Sequence, residues 1–404
     1  MEEKKTGSKF GVGFLAGFMA CLLIVGINFG IYKVVTFLTA GSQLVSTESV
    51  SGDSDSTGKL AYIVSLIKTY YYQDVDDNDL IDGIYSGVVE SLGDPYSAYY
   101  DPQEYEDLMI SITGEFAGIG ATLQKNPDTG YVTIVKVHKG SPAEKIGLMV
   151  DDIILMADDV DLTELDLDVA VTYIRGEKGT DVTLKVLRGG QEMTFTATRD
   201  TVTMDTVEYE MLEDNIGYVQ ISSFQDATAR DFIAAMEDLQ AQGMESVIFD
   251  LRSNTGGLLD SVTEILDYIL PEGTTVYMED KNGKRTTYTS DAKQYIDMPI
   301  VVLVDGYTAS ASEIFTGAIR DYHYGTIVGT KTFGKGIVQS TMEVGDGSAV
   351  KLTIASYYTP SGECIHGEGI APDIELEYEF LGGENDTYAK ELDNQIQKAI
   401  ELLK

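Results

Sequence analysis

From Asn215 onward the sequence alternates between strand-type and helix-type patterns, and this alternation narrows the fold more than any other feature. Gly217 to Ile221 is a short strand-type run, and Asp226 to Gln242 follows with Phe232, Ala235, Met236 and Leu239 on one helical face. Val247 to Leu251 and Leu258 to Leu270 repeat the sequence of strand then helix, and Ile300 to Val304 leads into a helix from about Ser310 to Tyr322. Residues 325 to 358 read mainly as strands. The pattern predicts an α/β layer over residues 201–404, because helices with one apolar face must cover a sheet.

The chain upstream is built differently. Residues 105–200 hold short β-type runs bounded by glycine turns, among them Val132 to Val137, Asp152 to Leu155 and Val182 to Val186, which predicts a compact β module. Residues 59–104 carry apolar positions at helical spacing, Leu60, Ile63, Val64 and Ile67, then Leu80, Ile84, Val88 and Leu92, which predicts two amphipathic helices before the turn Gly93-Asp94-Pro95. Residues 34–58 are largely small, polar and acidic, the composition of a solvated linker.

No charged side chain occurs from Phe10 to Tyr32. At about 1.5 Å per residue this run covers the roughly 30 Å hydrocarbon core of a bilayer, so residues 10–33 are expected to span a membrane. Lys4, Lys5 and Lys9 precede it, which keeps residues 1–9 in the cytoplasm and exports the rest. A cleaved signal peptide is the competing reading, but its apolar core is shorter than this run. With 66 acidic against 28 basic residues, the formal charge of −38 argues against a nucleic-acid partner. The two cysteines, Cys21 and Cys364, supply neither a disulfide framework nor a thiolate metal site. No metal or cofactor is expected.

Two strand-to-helix junctions concentrate the chemistry. Asp250 to Gly257 ends in paired glycines, Gly256 and Gly257, whose backbone N–H groups can serve an oxyanion. Thr308-Ala309-Ser310-Ala311-Ser312-Glu313 puts serine at a helix start, where free amides and the helix dipole favour a developing anion. Serine is also a preferred helix cap, and spacing alone does not choose between Ser310 and Ser312. A hydroxyl needs a base. Of the three histidines, His138 lies in the β module, His366 in a glycine-rich loop, and His323 about three turns along the same helix as Ser310. Lys335, in Phe333-Gly334-Lys335-Gly336, is the better candidate, since burial lowers a lysine pKa and leaves a neutral amine. The stretch Gly329 to Lys335 also matches seven positions of a phosphate-binding loop, but Gly336 stands where such a loop needs Ser or Thr, and a strand-like run follows.

These residues resemble the carboxy-terminal processing peptidases, the Ser–Lys family also called tail-specific proteases. The resemblance covers nearly everything after residue 59, through Ser91 to Ser97, Gly114 to Gly120, Asp250-Leu251-Arg252 with Gly256-Gly257, Thr308 to Glu313 and Lys331 to Gly336. It implies a crotonase-like α/β serine peptidase core with Ser310 as nucleophile, Lys335 as general base and Gln339 orienting that lysine. Ser312 would then be structural. The oxyanion hole would take the amide of Gly256 or Gly257 together with that of Ala311. Thr255 stands where the family often has proline, and Asp305-Gly306-Tyr307 replaces its more usual loop, so the geometry of the hole is left open.

The β module resembles a PDZ domain, with Gly118, Ile119 and Gly120 as the loop that binds a peptide's terminal carboxylate, and Arg175 as part of a relay to the active site. The resemblance therefore implies protein or peptide substrates with free C-termini and, because family members commonly pair through terminal helices, a homodimer. The rival functions are a catalytically silent PDZ scaffold and a nucleotide hydrolase using the near phosphate loop.

Overall fold

The computed structural model describes residues 55–404 apart from 128, 292, 294, 384 and 385. The expected cytoplasmic tail, the spanning segment 10–33 and all but the end of the linker lie outside the described residues. No helix among the described residues is long and apolar enough to cross a membrane.

The described residues divide into two units, of which the first contributes residues 55–80 and the second residues 81–404. In the first, the helix Asp55–Tyr70 starts inside the segment expected to be linker, so helical structure begins before Lys59. The helix Asp77–Glu90 carries the chain into the second unit.

The core of the second unit is a six-stranded sheet in the order Val207–Met211, Ile216–Ile221, Ser246–Asp250, Ile300–Val304, Thr326–Gly329, Ile374–Glu375. Its first pair is antiparallel and the others are parallel. Parallel strands are buried on both faces, which is why Ser246–Asp250 and Ile300–Val304 are buried at every position. The helices Thr228–Ala241, Leu259–Ile269 and Ala311–Asp321 share one core with the sheet, in which the rings of Phe249 and Phe315 meet edge-on at 5.6 Å. On the other face, Ile396 and Ala399 of the helix Asn394–Leu403 pack in a cluster with Val301, Leu303 and Val328. Arg252 fixes that helix by donating to Asp250 at 2.9 Å, to Asp393 at 2.9 Å and to Gln395 at 2.8 Å.

A second, five-stranded antiparallel sheet centres on Ala349–Tyr358, which pairs with Ile337–Glu343, Gly273–Asp280 and Ala98–Tyr100. The strand Ala98–Tyr100 falls within the region expected to be helical, yet it is built onto the core. The β module is a sheet in the order Ala121–Lys125, Val132–Val137, Ile153–Ala157, Asp181–Arg188, Gln191–Thr198, with the helices Pro142–Lys145 and Leu167–Ile174. Its apolar centre includes Ile134, Ile154, Leu184 and Val186. The strands Glu115–Gly118 and Asp200–Thr203 pair where the chain enters and leaves it, so residues 201–203, expected in the core, belong to this pairing.

One element departs from the expected β start near residue 105. Residues 102–113 are a helix, capped by Asp101, whose carboxylate accepts from the N–H groups of Gln103 and Glu104 at 2.8 Å. Glu104 returns a contact to the Asp101 N–H at 3.1 Å, completing a capping box, and Gly114 closes the helix at φ 72°.

Candidate active site

The strands Ser246–Asp250 and Ile300–Val304 release their loops at the same end of the sheet, and Asp305 binds these loops together. Its carboxylate accepts from the N–H groups of Ser253 at 3.0 Å, Tyr307 at 3.0 Å and Thr308 at 2.9 Å. Asn254 adds a second tie, since its carbonyl accepts from the Ala309 N–H at 3.0 Å and from the Ser312 hydroxyl at 3.0 Å. Ser312 is fully buried, so its hydroxyl is held in the framework. Ser310 is partly exposed and sits at φ 57°, ψ −118° at the start of the helix Ala311–Asp321. Capping serines ordinarily adopt β-region angles, and a left-handed non-glycine residue costs on the order of 1–3 kcal/mol. The surrounding structure imposes this geometry, in part through the buried Tyr357 hydroxyl, which donates to the Ser310 carbonyl at 2.9 Å. Burial holds that phenol well above its usual range, with the Glu313 charge adding to the effect, so it stays a donor.

Gly256 and Gly257 lie directly against this turn. Gly256 has φ 104°, and a Cβ there would come within 2.8 Å of the Ser310 Cβ and 2.9 Å of the Ala311 nitrogen. A Cβ on Gly257 would meet the Phe224 carbonyl oxygen at 2.1 Å. The two amides differ. The Gly256 N–H donates to the Asn254 side-chain oxygen at 2.8 Å, whereas neither the Gly257 nor the Ala311 N–H has a protein acceptor among the described residues. Of the two glycines, Gly257 therefore has the amide free for an oxyanion, and Gly256 supplies the close approach.

Glu313 joins the Ser310 turn to the lysine loop, a role that its place in the motif did not reveal. It is fully buried, and its two oxygens accept four hydrogen bonds. Oε1 takes the Thr332 hydroxyl at 2.6 Å and the Gly334 N–H at 2.7 Å. Oε2 takes the Lys335 N–H at 2.8 Å and the Ser310 N–H at 2.9 Å. Ser310 and Lys335 are thus anchored on a single carboxylate oxygen. Gly334, at φ 91°, and Gly336 allow the loop to pack on residues 366–369, where a Cβ on Gly336 would meet the His366 nitrogen at 2.6 Å. Burial holds the Lys335 amine below the ordinary lysine range; the nearby Lys351 cation adds to this, and Glu313 opposes it.

The other expected residues are placed as follows. Gln339 lies in the strand Ile337–Glu343 that follows Lys335, after a register shift between Val338 and Gln339, with its amide nitrogen 3.5 Å from the Thr353 hydroxyl; it makes no hydrogen bond to Lys335. His138 is buried in the β module beside Thr122, at 3.1 Å, and Asp205, at 3.5 Å. In the glycine loop of that module, Gly118 ends a strand, Ile119 is buried, and Gly120 sits at φ 76°. The Ile119 carbonyl accepts from Ala143 at 2.7 Å and that of Gly120 from His138 at 3.0 Å, while the Ile119 and Gly120 N–H groups have no protein acceptor among the described residues. The next strand, Ala121–Lys125, is at the edge of its sheet. Arg175 lies 5.4 Å from the centre of the Phe116 ring and 3.5 Å from Asp107. Asn254, Asp305, Glu313 and Tyr357 were not anticipated as site residues.

Comparison with known proteins places three family models along the chain. The family model for peptidase family S41 matches residues 215–376, the PDZ domain model residues 117–198, and the model for the activating protease CtpB N-terminal domain residues 23–104. The carboxy-terminal processing protease CtpA of Bacillus subtilis is 37% identical over 343 residues, covering 84% of this chain and 73% of that protein. A CtpA-like serine protease of Staphylococcus epidermidis is 37% identical over 354 residues, covering 86% and 72%. A solved S41 protease structure from Bacteroides fragilis aligns with a TM-score of 0.52 at 17% identity, over 84% of this chain and 96% of that one, a likeness of fold. The S41 match over the α/β core and the CtpA relatives define a serine-type protease. The chain belongs to peptidase family S41, among the carboxy-terminal processing proteases.

Proposed function

We propose that this protease is an endopeptidase that cuts exported proteins near their C-termini by a Ser–Lys acyl-enzyme mechanism. The observation that carries the reading is the single Glu313 oxygen that receives both the Ser310 and the Lys335 N–H. In this mechanism the neutral Lys335 amine takes the Ser310 proton as Oγ bonds to the substrate carbonyl carbon, and the carbonyl π electrons move to oxygen. The amides of Gly257 and Ala311 stabilise that oxyanion. As it collapses and the C–N bond breaks, the Lys335 ammonium returns the proton to the leaving amine. Water then attacks the ester carbonyl as Lys335 accepts one of its protons, and when the C–Oγ bond breaks to release the new C-terminus, the Lys335 ammonium passes that proton to the Ser310 oxygen. No metal or cofactor enters these steps.

The PDZ domain binds the substrate's terminal carboxylate on the Ile119 and Gly120 amides, while the peptide adds along the edge strand Ala121–Lys125. Residues 10–33 anchor the chain with its N-terminus in the cytoplasm and the catalytic part outside, and the protease works as a homodimer. The test is cleavage of an unstructured protein with a free apolar C-terminus by the full chain, beside Ser310→Ala and Lys335→Ala. Loss of cleavage in both supports the dyad. Cleavage that survives either change contradicts it, and capture of C-termini with no cleavage by the unaltered chain favours the scaffold reading.

A further inference from the structure

The segment Gly93-Asp94-Pro95-Tyr96-Ser97 lies far from Lys335 in sequence and takes no part in the mechanism above. The fold nevertheless brings Tyr96 to the general base. The Lys335 ammonium nitrogen is 5.1 Å from the centre of the Tyr96 ring, inside the range of a cation–π contact. The His366 ring also neighbours it, edge-on at 6.5 Å between ring centres.

The ring is held there by the main chain around it. Asp94 accepts from the Tyr96 N–H at 3.0 Å and from the Ser97 hydroxyl at 2.6 Å, and Ser97 in turn accepts from the Thr353 N–H at 3.0 Å. The next residues, Ala98 to Tyr100, form the strand that pairs with Ala349 to Lys351. The Ser97 hydroxyl, with Thr353 next, holds the Asp94 carboxyl below its usual range, as expected of a carboxylate that organises a turn. The same segment serves the neighbouring cation, for Lys351 donates to the Tyr100 hydroxyl and lies 5.0 Å from the centre of that ring.

We propose that Tyr96 is a positioning residue for the general base: its ring face holds and stabilises the Lys335 ammonium formed when Ser310 gives up its proton. The proposal rests on Lys335 being the base. A ring face attracts the ammonium and is indifferent to the neutral amine, so it acts most strongly after proton transfer. The charges acting on Lys335 are Lys351, which disfavours the ammonium, and Glu313, which favours it; the Tyr96 ring works in the direction of Glu313.

The experiment replaces Tyr96 in the full chain with phenylalanine, then with phenylalanine carrying one, two and three ring fluorines, which withdraw π density without changing the ring's shape. Tyr96→Phe should keep kcat within about twofold, and each fluorine should lower it, with KM constant and the acid limb of kcat moving to lower pH. Tyr96→Leu should lose roughly tenfold in kcat. The fluorine series guards against a leucine variant that misfolds. A flat series, or an acid limb that moves to higher pH, overturns the proposal while Lys335→Ala remains inactive. Activity in Lys335→Ala overturns the base assignment and this proposal with it.

Discussion

The Gly256–Gly257 loop of the core and the Gly118–Gly120 loop of the PDZ domain both use left-handed glycine, but they are held by different means. In the core, the glycine loop and the serine turn are fixed mainly by buried polar side chains: the Asn254 side chain holds Gly256 while its backbone carbonyl holds Ala309, Thr308 donates to the Leu251 carbonyl at 2.9 Å, and Glu313 holds Ser310. In the PDZ domain, the loop is held by two backbone contacts to its carbonyls and by the buried Ile119 side chain. Charge stabilisation in a transition state needs donors set in advance, whereas a loop that receives varied peptide ends tolerates adjustment.

The comparison breaks first at Gly256. In Gly256→Ala the new Cβ meets the Ala309 oxygen at 2.7 Å and the Ser310 Cβ at 2.8 Å, contacts that only backbone movement relieves. We expect kcat to fall by about a thousandfold or more, from loss of oxyanion geometry, measured on a short peptide ester that does not need the PDZ domain. Asn254→Ala leaves the Ile221 carbonyl and the Gly256 N–H unpaired inside the core, where each unsatisfied group costs about 1–3 kcal/mol. Its kcat should fall about a hundredfold, with a melting temperature lower by several degrees. Thr332→Val removes one of the four donors to Glu313 and the acceptor that receives the Ile370 N–H at 2.7 Å. A loss of roughly tenfold in kcat is expected there, because three donors still hold the carboxylate. Gly120→Ala should act only on binding. Its Cβ would lie 2.3 Å from that of Ser141, so KM for a substrate with a free C-terminus should rise up to about tenfold, with no change for the C-terminally amidated form. An equal effect on both substrates would mean that the PDZ loop does not read the carboxylate.

The contrast also explains what the sequence revealed. The α/β alternation was legible because each helix repeats its apolar face, and Phe232, Ala235, Met236 and Leu239 are all buried as that spacing requires. The helix Pro102–Thr113 was missed although Asp101, Pro102 and Glu104 carry the signal of a capped start; it has no buried residue, so its apolar face is weak. Ser310 and Ser312 looked equivalent because spacing says nothing of partners. Their difference lies in the Asn254 carbonyl, which holds Ser312 and is distant in sequence. Glu313 was hidden for the same reason, since three of its four donors come from residues 332–335.

The lysine adds a pH signature. In the proposed mechanism the active form of Lys335 is the neutral amine, so kcat should rise with pH and reach half its plateau below the ordinary lysine value of 10.5, because burial and then Lys351 disfavour the ammonium more than Glu313 favours it. A half-rise at or above that value would remove the basis for Lys335 as a base at physiological pH.

The central claim is most directly tested by labelling the full chain with a fluorophosphonate and locating the adduct by mass spectrometry, with Lys335→Ala alongside. The account predicts an adduct on Ser310 in the unaltered chain and almost none in the variant. An adduct on Ser312, or labelling of Ser310 at the same rate without Lys335, would contradict it.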